Sequence, residues 1–330
     1  MSRVHMAYPL VLLMMAITLS MLLTADSTRP LQPIQVVYLG RISTQVDRPY
    51  QSFIKALNGL DDPLRRRIRV TFVEAMTATA WRFEAAAEQA IRLGPDVIIA
   101  PNTAAARAMR PFGQRMPPVI FASFMDPVRY GVIDRTSERT EPITGVWIAD
   151  DLDSKRLELL RDAYPGIRSV AVLMDRDWAK NSDAADRLPR AAHQLGLTVE
   201  TLLAEDMAEA TRLLDALHPH AFDAWLLPPS GLAYLSSTAL LERLRAWQRP
   251  VIVGNTQDVV QGAPLSYMVD EDFRYAVMVE LLRRVMNGEP AGSIPVERPP
   301  TPKLAVNAFP MAGFPPPDKA VVLRADVVVR

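Results

Sequence analysis

A chain of 330 residues with 49% hydrophobic and 22% charged residues is long enough for two domains with separate cores, and too apolar to be disordered. Its 37 basic residues balance 37 acidic ones, so no net charge draws the whole molecule towards nucleic acid or an anionic membrane. The absence of cysteine excludes disulfides, thiolate metal sites and a cysteine nucleophile.

At the N-terminus, Arg3 and His5 precede an apolar run from Leu10 to Leu23, followed by Thr24, Ala25, Asp26 and Ser27. A basic start, a short apolar core and small residues after it describe a secretory signal peptide over residues 1–27. An uncleaved anchor is the alternative, although the run falls short of the about 20 residues a span needs. The expectation is export to the periplasm. A bacterial lipid anchor is excluded because no cysteine stands at the junction.

From there strands and helices alternate. Ile34–Leu39 reads as a strand, and the polar loop Gly40–Thr44 leads to a helix over about Val46–Leu57. Strands follow at Ile68–Val73, Asp96–Ala100 and Val119–Ala122, with a helix at Trp81–Leu93 and an alanine-rich helix after Pro101-Asn102-Thr103. Thr144–Ile148, Leu152–Ala163 and Ser169–Met174 then form a strand–helix–strand bridge. Beyond the bridge, helices are expected at Asp183–Leu195, Met207–Leu217 and Leu232–Trp247, and strands at Leu197–Leu202, Ala224–Leu227 and Val251–Val253. Leu265–Val269 reads as extended and Glu271–Met286 as an amphipathic helix closed by Asn287-Gly288. The proline-rich tail leaves only short strands at Leu304–Val306 and Ala320–Leu323.

Such alternation implies parallel pairing, because each crossover helix returns the chain to the same edge of the sheet. The expected fold is therefore α/β, with two doubly wound parallel-sheet lobes joined by a three-strand hinge. The first lobe would comprise residues 34–145 with 266–292, and the second residues 146–265 with 293–330. Crossings would fall near Thr144, Leu265 and Ser293.

Several stretches carry a resemblance: Asp96–Thr103 (DVIIAPNT), Phe121–Val128 (FASFMDPV) with Gly131, and Ile143–Val146. Lys155–Leu160, Pro165, Val170–Leu173, Gly262-Ala263 and Leu323–Asp326 continue it in the same order across nearly the whole mature chain. The chain resembles the ABC-transporter substrate-binding proteins of the group that includes tryptophan- and tyrosine-uptake proteins. The resemblance implies a type I periplasmic binding protein fold with a hinged cleft, a small-molecule ligand and ABC permease subunits as partners. An amino acid, aromatic or otherwise, is the implied ligand class. Pro228-Pro229-Ser230-Gly231 departs from the aspartate–asparagine pair common in the family, and Asp61–Arg67 from its glycine-rich turn.

In open parallel sheets, ligands sit beyond the carboxyl ends of the strands. The loops found there offer Thr44, Asn102, Thr103, Ser123, Asp126, Asp175, Asn181, Ser182, Ser230 and Asn255 as polar candidates, and Trp178 as a ring that could stack on a ligand. Thr103, Ser182 and nearby N–H groups would face a carboxylate, and Asp126 a cationic group. Each has a structural alternative: Thr103 and Asn181-Ser182 as caps, Asp126-Pro127 as a turn, Trp178 as a surface cover.

Enzyme signals are weak. Ser52-Phe-Ile-Lys55 matches S-x-x-K without its companion motifs, and His218-Pro-His220 lacks an acidic partner nearby. No phosphate-cradling glycine motif occurs, and Arg65-Arg66-Arg67 alone makes no nucleic-acid surface. No catalytic residue, cofactor or metal is expected. The readings left are a solute-binding protein serving a permease, and a periplasmic sensor module serving a membrane receptor such as a histidine kinase.

Overall fold

The computed structural model describes residues 32–76, 82–134, 141–148, 152–269, 271–298, 301–309 and 313–329. The expected signal peptide lies outside them. Among the described residues, no helix is long and apolar enough to cross a membrane.

The first lobe is a five-stranded sheet of β1 (Ile34–Gly40), β2 (Ile68–Glu74), β3 (Val97–Ala100), β4 (Val119–Ser123) and β5 (Ile143–Trp147). Its order is β2-β1-β3-β4-β5, all parallel. The crossovers run through α1 (Arg48–Asn58), α2 (Leu64–Arg67), α3 (Phe83–Arg92) and α4 (Thr103–Met109). The chain then enters the second lobe through α5 (Leu152–Ala163), β6 (Ser169–Met174), α6 (Arg176–Asn181), α7 (Ala184–Gln194), β7 (Thr198–Leu203) and α8 (Met207–Asp215). β8 (Ala224–Leu227), α9 (Gly231–Ala246), β9 (Val251–Val253), α10 (Thr256–Val260) and β10 (Leu265–Met268) complete its parallel part. That part has the order β7-β6-β8-β9-β10, the same winding as the first lobe. α11 (Glu271–Met286) returns to the first lobe, while β11 (Lys303–Asn307), α12 (Lys319–Arg324) and β12 (Val327–Val329) extend the second. β11 joins β10 antiparallel and β12 joins β11 parallel.

Both sheets are covered on both faces, as parallel sheets require. Phe53 and Leu57 of α1 and Leu281 and Leu282 of α11 pack on one face of the first sheet, with Ala86, Ala87 and Ala90 of α3 and Ala105 and Met109 of α4 on the other. In the second lobe, Leu157 and Leu160 of α5, Leu188 of α7 and Val321 of α12 cover one face. Leu214 of α8 and Leu240 and Leu244 of α9 cover the other. Phe53 and Leu57 of α1, Ala86 and Ala90 of α3, Ala105 and Met109 of α4, Leu157 and Leu160 of α5, and Leu240 and Leu244 of α9 repeat at helical spacing, which is why those helices were legible locally.

The lobe boundaries differ from those expected. β5 lies wholly in the first sheet, and Ile148 still donates to the Ser123 carbonyl at 2.7 Å, so the first crossing follows Ile148, not Thr144. β10 pairs with β9 and β11, which places residues 266–268 in the second lobe and the second crossing after Met268. Glu297 exchanges hydrogen bonds with Gly145 and Trp147, 2.9 Å each, which moves the third crossing from Ser293 to beyond Glu297. Thr144 reinforces this seam by donating its hydroxyl to the Ile294 carbonyl at 3.0 Å. Composition marks a strand, whereas pairing alone says which sheet it joins.

Ala320–Leu323 is a helix, not a strand. The Asp318 carboxylate caps it by accepting from the Ala320 N–H at 2.7 Å, and Val321 seats it in the core of the second lobe. The cap and that contact override the β-branched composition. The last strand, Val327–Val329, lies beyond any expected from the sequence.

Candidate ligand-binding site

A cavity of about 50 Å³ lies between the lobes, beyond the carboxyl ends of β1, β3, β4, β8 and β9. The first lobe contributes Arg41, Asp47, Pro101, Asn102 and Phe124 from its loops, Pro49 from the start of α1, and Arg274 from α11. The second contributes Leu227 from the end of β8, Pro228, Pro229, Gly254 and Asn255 from its loops, Ala233, Tyr234 and Ser237 from α9, and Asp258 from α10.

Local sequence rules build these walls. The Asp47 carboxylate accepts from the backbone N–H groups of Arg41 (2.8 Å) and Tyr50 (3.1 Å), so one side chain folds the loop after β1 and caps α1. Asn102 caps α4 through the Ala105 N–H at 2.9 Å, and Asn255 caps α10 through the Gln257 N–H at 2.8 Å. Gly254 is required by contact: a Cβ there would lie 2.4 Å from Pro229.

The charged groups are deeply set. Arg274 is 3% exposed, and its guanidinium lies 5.0 Å from the Phe124 ring centroid and 4.4 Å from that of Tyr275, whose hydroxyl it also contacts. Asp258 is 4% exposed and stands 4.0 Å from the Arg48 guanidinium across the cleft. Arg41 of the first lobe lies 5.5 Å from the ring centroid of Tyr234 in the second. Beneath them, burial pushes the Tyr38 phenol well above its ordinary range, so it stays neutral. Among the described residues, no group of three or more His, Asp or Glu side chains could hold a metal.

Of the residues expected from the sequence, Asn102 and Asn255 line this cavity. Thr103 is the first residue of α4, not its cap, and its hydroxyl lies 3.0 Å from that of buried Ser123, which also donates to the Met125 carbonyl at 2.7 Å. Ser230 is buried as the cap of α9, accepting from the Ala233 N–H at 3.2 Å. Thr44 is half-buried in the loop, with its carbonyl 3.3 Å from the Gln51 amide nitrogen.

Asp126, Asp175, Trp178, Asn181 and Ser182 do not line this cavity. The Asp126 carboxylate is turned onto its own chain, accepting from Val128 (2.9 Å) and Arg129 (3.2 Å), and forms the turn that its proline neighbour suggested. Asp175 is buried and takes the N–H groups of Trp178 (2.6 Å) and Leu232 (3.0 Å), stitching α6 to α9. Trp178 is no exposed platform: it is 7% exposed, packs into the second lobe and points its indole nitrogen at Asp153, 3.4 Å away. Asn181 ends α6, and Ser182 is buried where that helix stops. The sequence reading missed Arg41, Asp47, Tyr234, Ser237, Asp258 and Arg274. Arg41 and Asp47 lay in or beside a loop already singled out. The other four sit inside helices, where no loop rule points.

A family model described as ABC transporter substrate binding protein matches residues 45–312. The chain belongs to that family. Among solved structures, the chain is similar to a conserved domain protein of Vibrio cholerae, with 18% identity and a TM-score of 0.75 over 91% of this chain and 100% of the other. A Streptococcus pneumoniae ABC domain in complex with L-Trp gives 18% identity and a TM-score of 0.74 over the same shares. A ligand-free, open substrate-binding protein with adhesive properties from Clostridium difficile gives 19% and 0.59 over 91% and 99%. These likenesses establish the fold, that of type I periplasmic binding proteins. No curated protein matches the sequence.

Proposed function

We propose that this protein captures a small polar solute, such as an amino acid, between its lobes in the periplasm and passes it unchanged to the permease of an ABC transporter. The observation that carries this reading is the interlobe cavity, walled from both sides by polar and charged side chains at strand carboxyl ends. Contacts shared by both lobes exist only when the cleft is shut, so a bound solute shifts the population towards the closed form, which a membrane partner can recognise. The Arg41–Tyr234 and Arg48–Asp258 approaches across the cleft are contacts of that kind. The better superposition on the L-Trp complex than on the open, ligand-free protein also supports a closed arrangement.

The test is native mass spectrometry of the purified protein after incubation with a metabolite extract and desalting. One retained small molecule is expected, together with a smaller radius of gyration by X-ray scattering in its presence. Failure to retain any small molecule would refute solute capture. Export is checked by the mass of the periplasmic product, which should begin between Ala25 and Thr28; a full-length chain in the membrane fraction would overturn it.

A further inference from the structure

Resting on the solute-binding reading, we propose that the interlobe cavity takes an uncharged solute with carbonyl oxygens and an apolar body, and not an ionised amino acid. Lactams, cyclic imides and aromatic amides have this chemistry. Asn102 of the first lobe and Asn255 of the second donate to the carbonyl oxygens.

The charges of the wall already balance and are already engaged. Arg41 and Arg274 share it with Asp47 and Asp258. Both Asp47 oxygens serve their own loop: one accepts from the Arg41 N–H at 2.8 Å, the other from the Tyr50 N–H at 3.1 Å. Asp258 stands 4.0 Å from the Arg48 guanidinium. Arg41 lies over the Tyr234 ring, and Arg274 lies over the Phe124 and Tyr275 rings and touches the Tyr275 hydroxyl. An ion closed in here would shed its water and have to break one of these partnerships to gain a counter-charge. An uncharged solute asks only for hydrogen bonds.

The two asparagines supply them. Asn102 caps α4 and Asn255 caps α10, each using its carboxamide oxygen to accept a backbone N–H, from Ala105 at 2.9 Å and from Gln257 at 2.8 Å. The cap fixes which end of the amide is left over: Nδ2, which donates and does not accept. Both residues line the cavity, one from each lobe, so a solute with carbonyl oxygens on two edges is held by both lobes at once. Ser237 of α9, 4% exposed, adds a hydroxyl that can donate or accept.

Much of the remaining wall is apolar and poor in N–H groups. Pro49 and Pro101 line it from the first lobe, Pro228 and Pro229 from the second. Proline brings methylene groups and no N–H, so these positions cannot form the backbone cradle that holds a carboxylate. Beside them, the Gly254 N–H donates to the Leu227 carbonyl at 2.8 Å. The departure at Pro228-Pro229 from the family's aspartate–asparagine pair falls in this wall, and it exchanges a carboxylate and an amide for two apolar faces. An apolar body packed on these faces is stabilised by the area it removes from water.

The experiment is calorimetry on the purified protein at neutral pH with pairs that differ in charge: nicotinamide and nicotinate, succinimide and succinamate, the cyclic glycine dimer and glycylglycine. Beside it, the solute retained from metabolite extract is identified by mass. That solute should be uncharged at neutral pH, and any pair that binds should favour its uncharged member by about 10-fold or more. Asn102→Asp and Asn255→Asp keep their caps, since aspartate caps a helix as well as asparagine, but each replaces a donor with an acceptor. Both should leave the thermal midpoint nearly unchanged and weaken the retained solute about 10-fold or more. A retained solute that is an ion or zwitterion, L-tryptophan and L-tyrosine included, would overturn the inference. So would tighter binding of nicotinate, succinamate or glycylglycine than of its uncharged counterpart, or undiminished affinity in both aspartate variants. In each of these cases solute capture stands. If nothing is retained from extract, both fall.

Discussion

The buried pair Asp153–Arg156 on α5 should behave as an all-or-none unit. Arg156 is among the largest fully buried side chains, and its guanidinium is held by the Asp153 carboxylate and by the Tyr267 carbonyl, to which Nε donates at 3.0 Å. The other Asp153 oxygen faces the Trp178 indole nitrogen at 3.4 Å. Removing one partner strands the other's charge away from water, which costs about 3–5 kcal/mol. Asp153→Ala or Arg156→Met alone should therefore lower stability by about that much. At about 2–4 °C per kcal/mol for a unit of this size, the melting point should fall by about 6–20 °C. The double variant Asp153→Leu/Arg156→Met removes both charges and keeps volume, so it should recover most of the loss. Urea unfolding followed by tryptophan fluorescence is the assay, since Trp178, Trp225 and Trp247 all lie in the second lobe. A single variant costing less than about 1 kcal/mol, or a double variant as damaged as the two singles combined, would refute the reasoning. The pair also has a positional consequence. It ties α5, which opens just after the first crossing, to β10, which ends just before the second, so the single variants should also loosen the hinge.

Three further outcomes are expected. Tyr38→Phe should be neutral or stabilising by about 1 kcal/mol in denaturant melts, because the buried Tyr38 hydroxyl makes no hydrogen bond and an unmet buried polar group is costly. Gly254→Ala should destabilise by about 1–3 kcal/mol and weaken solute binding, because its Cβ would meet Pro229 at 2.4 Å in the cavity wall; calorimetry and a thermal melt together measure this. Burial raises the phenol pKa of both Tyr38 and Tyr164 above the ordinary 10.0, so the folded chain keeps protons that the unfolded chain loses above that pH. Stability should hold below pH 10 and decline as pH rises beyond it, and an alkaline series of unfolding midpoints checks the sign.

The sequence by itself determined the alternation of strands and helices, and with it two parallel α/β lobes. Several elements, among them α5, β6, β8, β9 and α11, have the boundaries their residues predicted. These features are local: periodicity, caps and prolines act within a few residues of themselves. The tertiary structure decided which strand belongs to which lobe. β10 is as apolar in either lobe, and only its hydrogen bonding to β9 and β11 assigns it to the second. It also decided which polar side chains face the interlobe cavity. Asp126, Asp175 and Ser230 looked available in the loops, yet each accepts neighbouring backbone N–H groups and none lines the cavity. Asp258 and Arg274 looked like ordinary helical charges, yet they line the cavity from opposite lobes. Whether a charge faces solvent or a ligand depends on the wall opposite it, and that wall comes from chain distant in sequence.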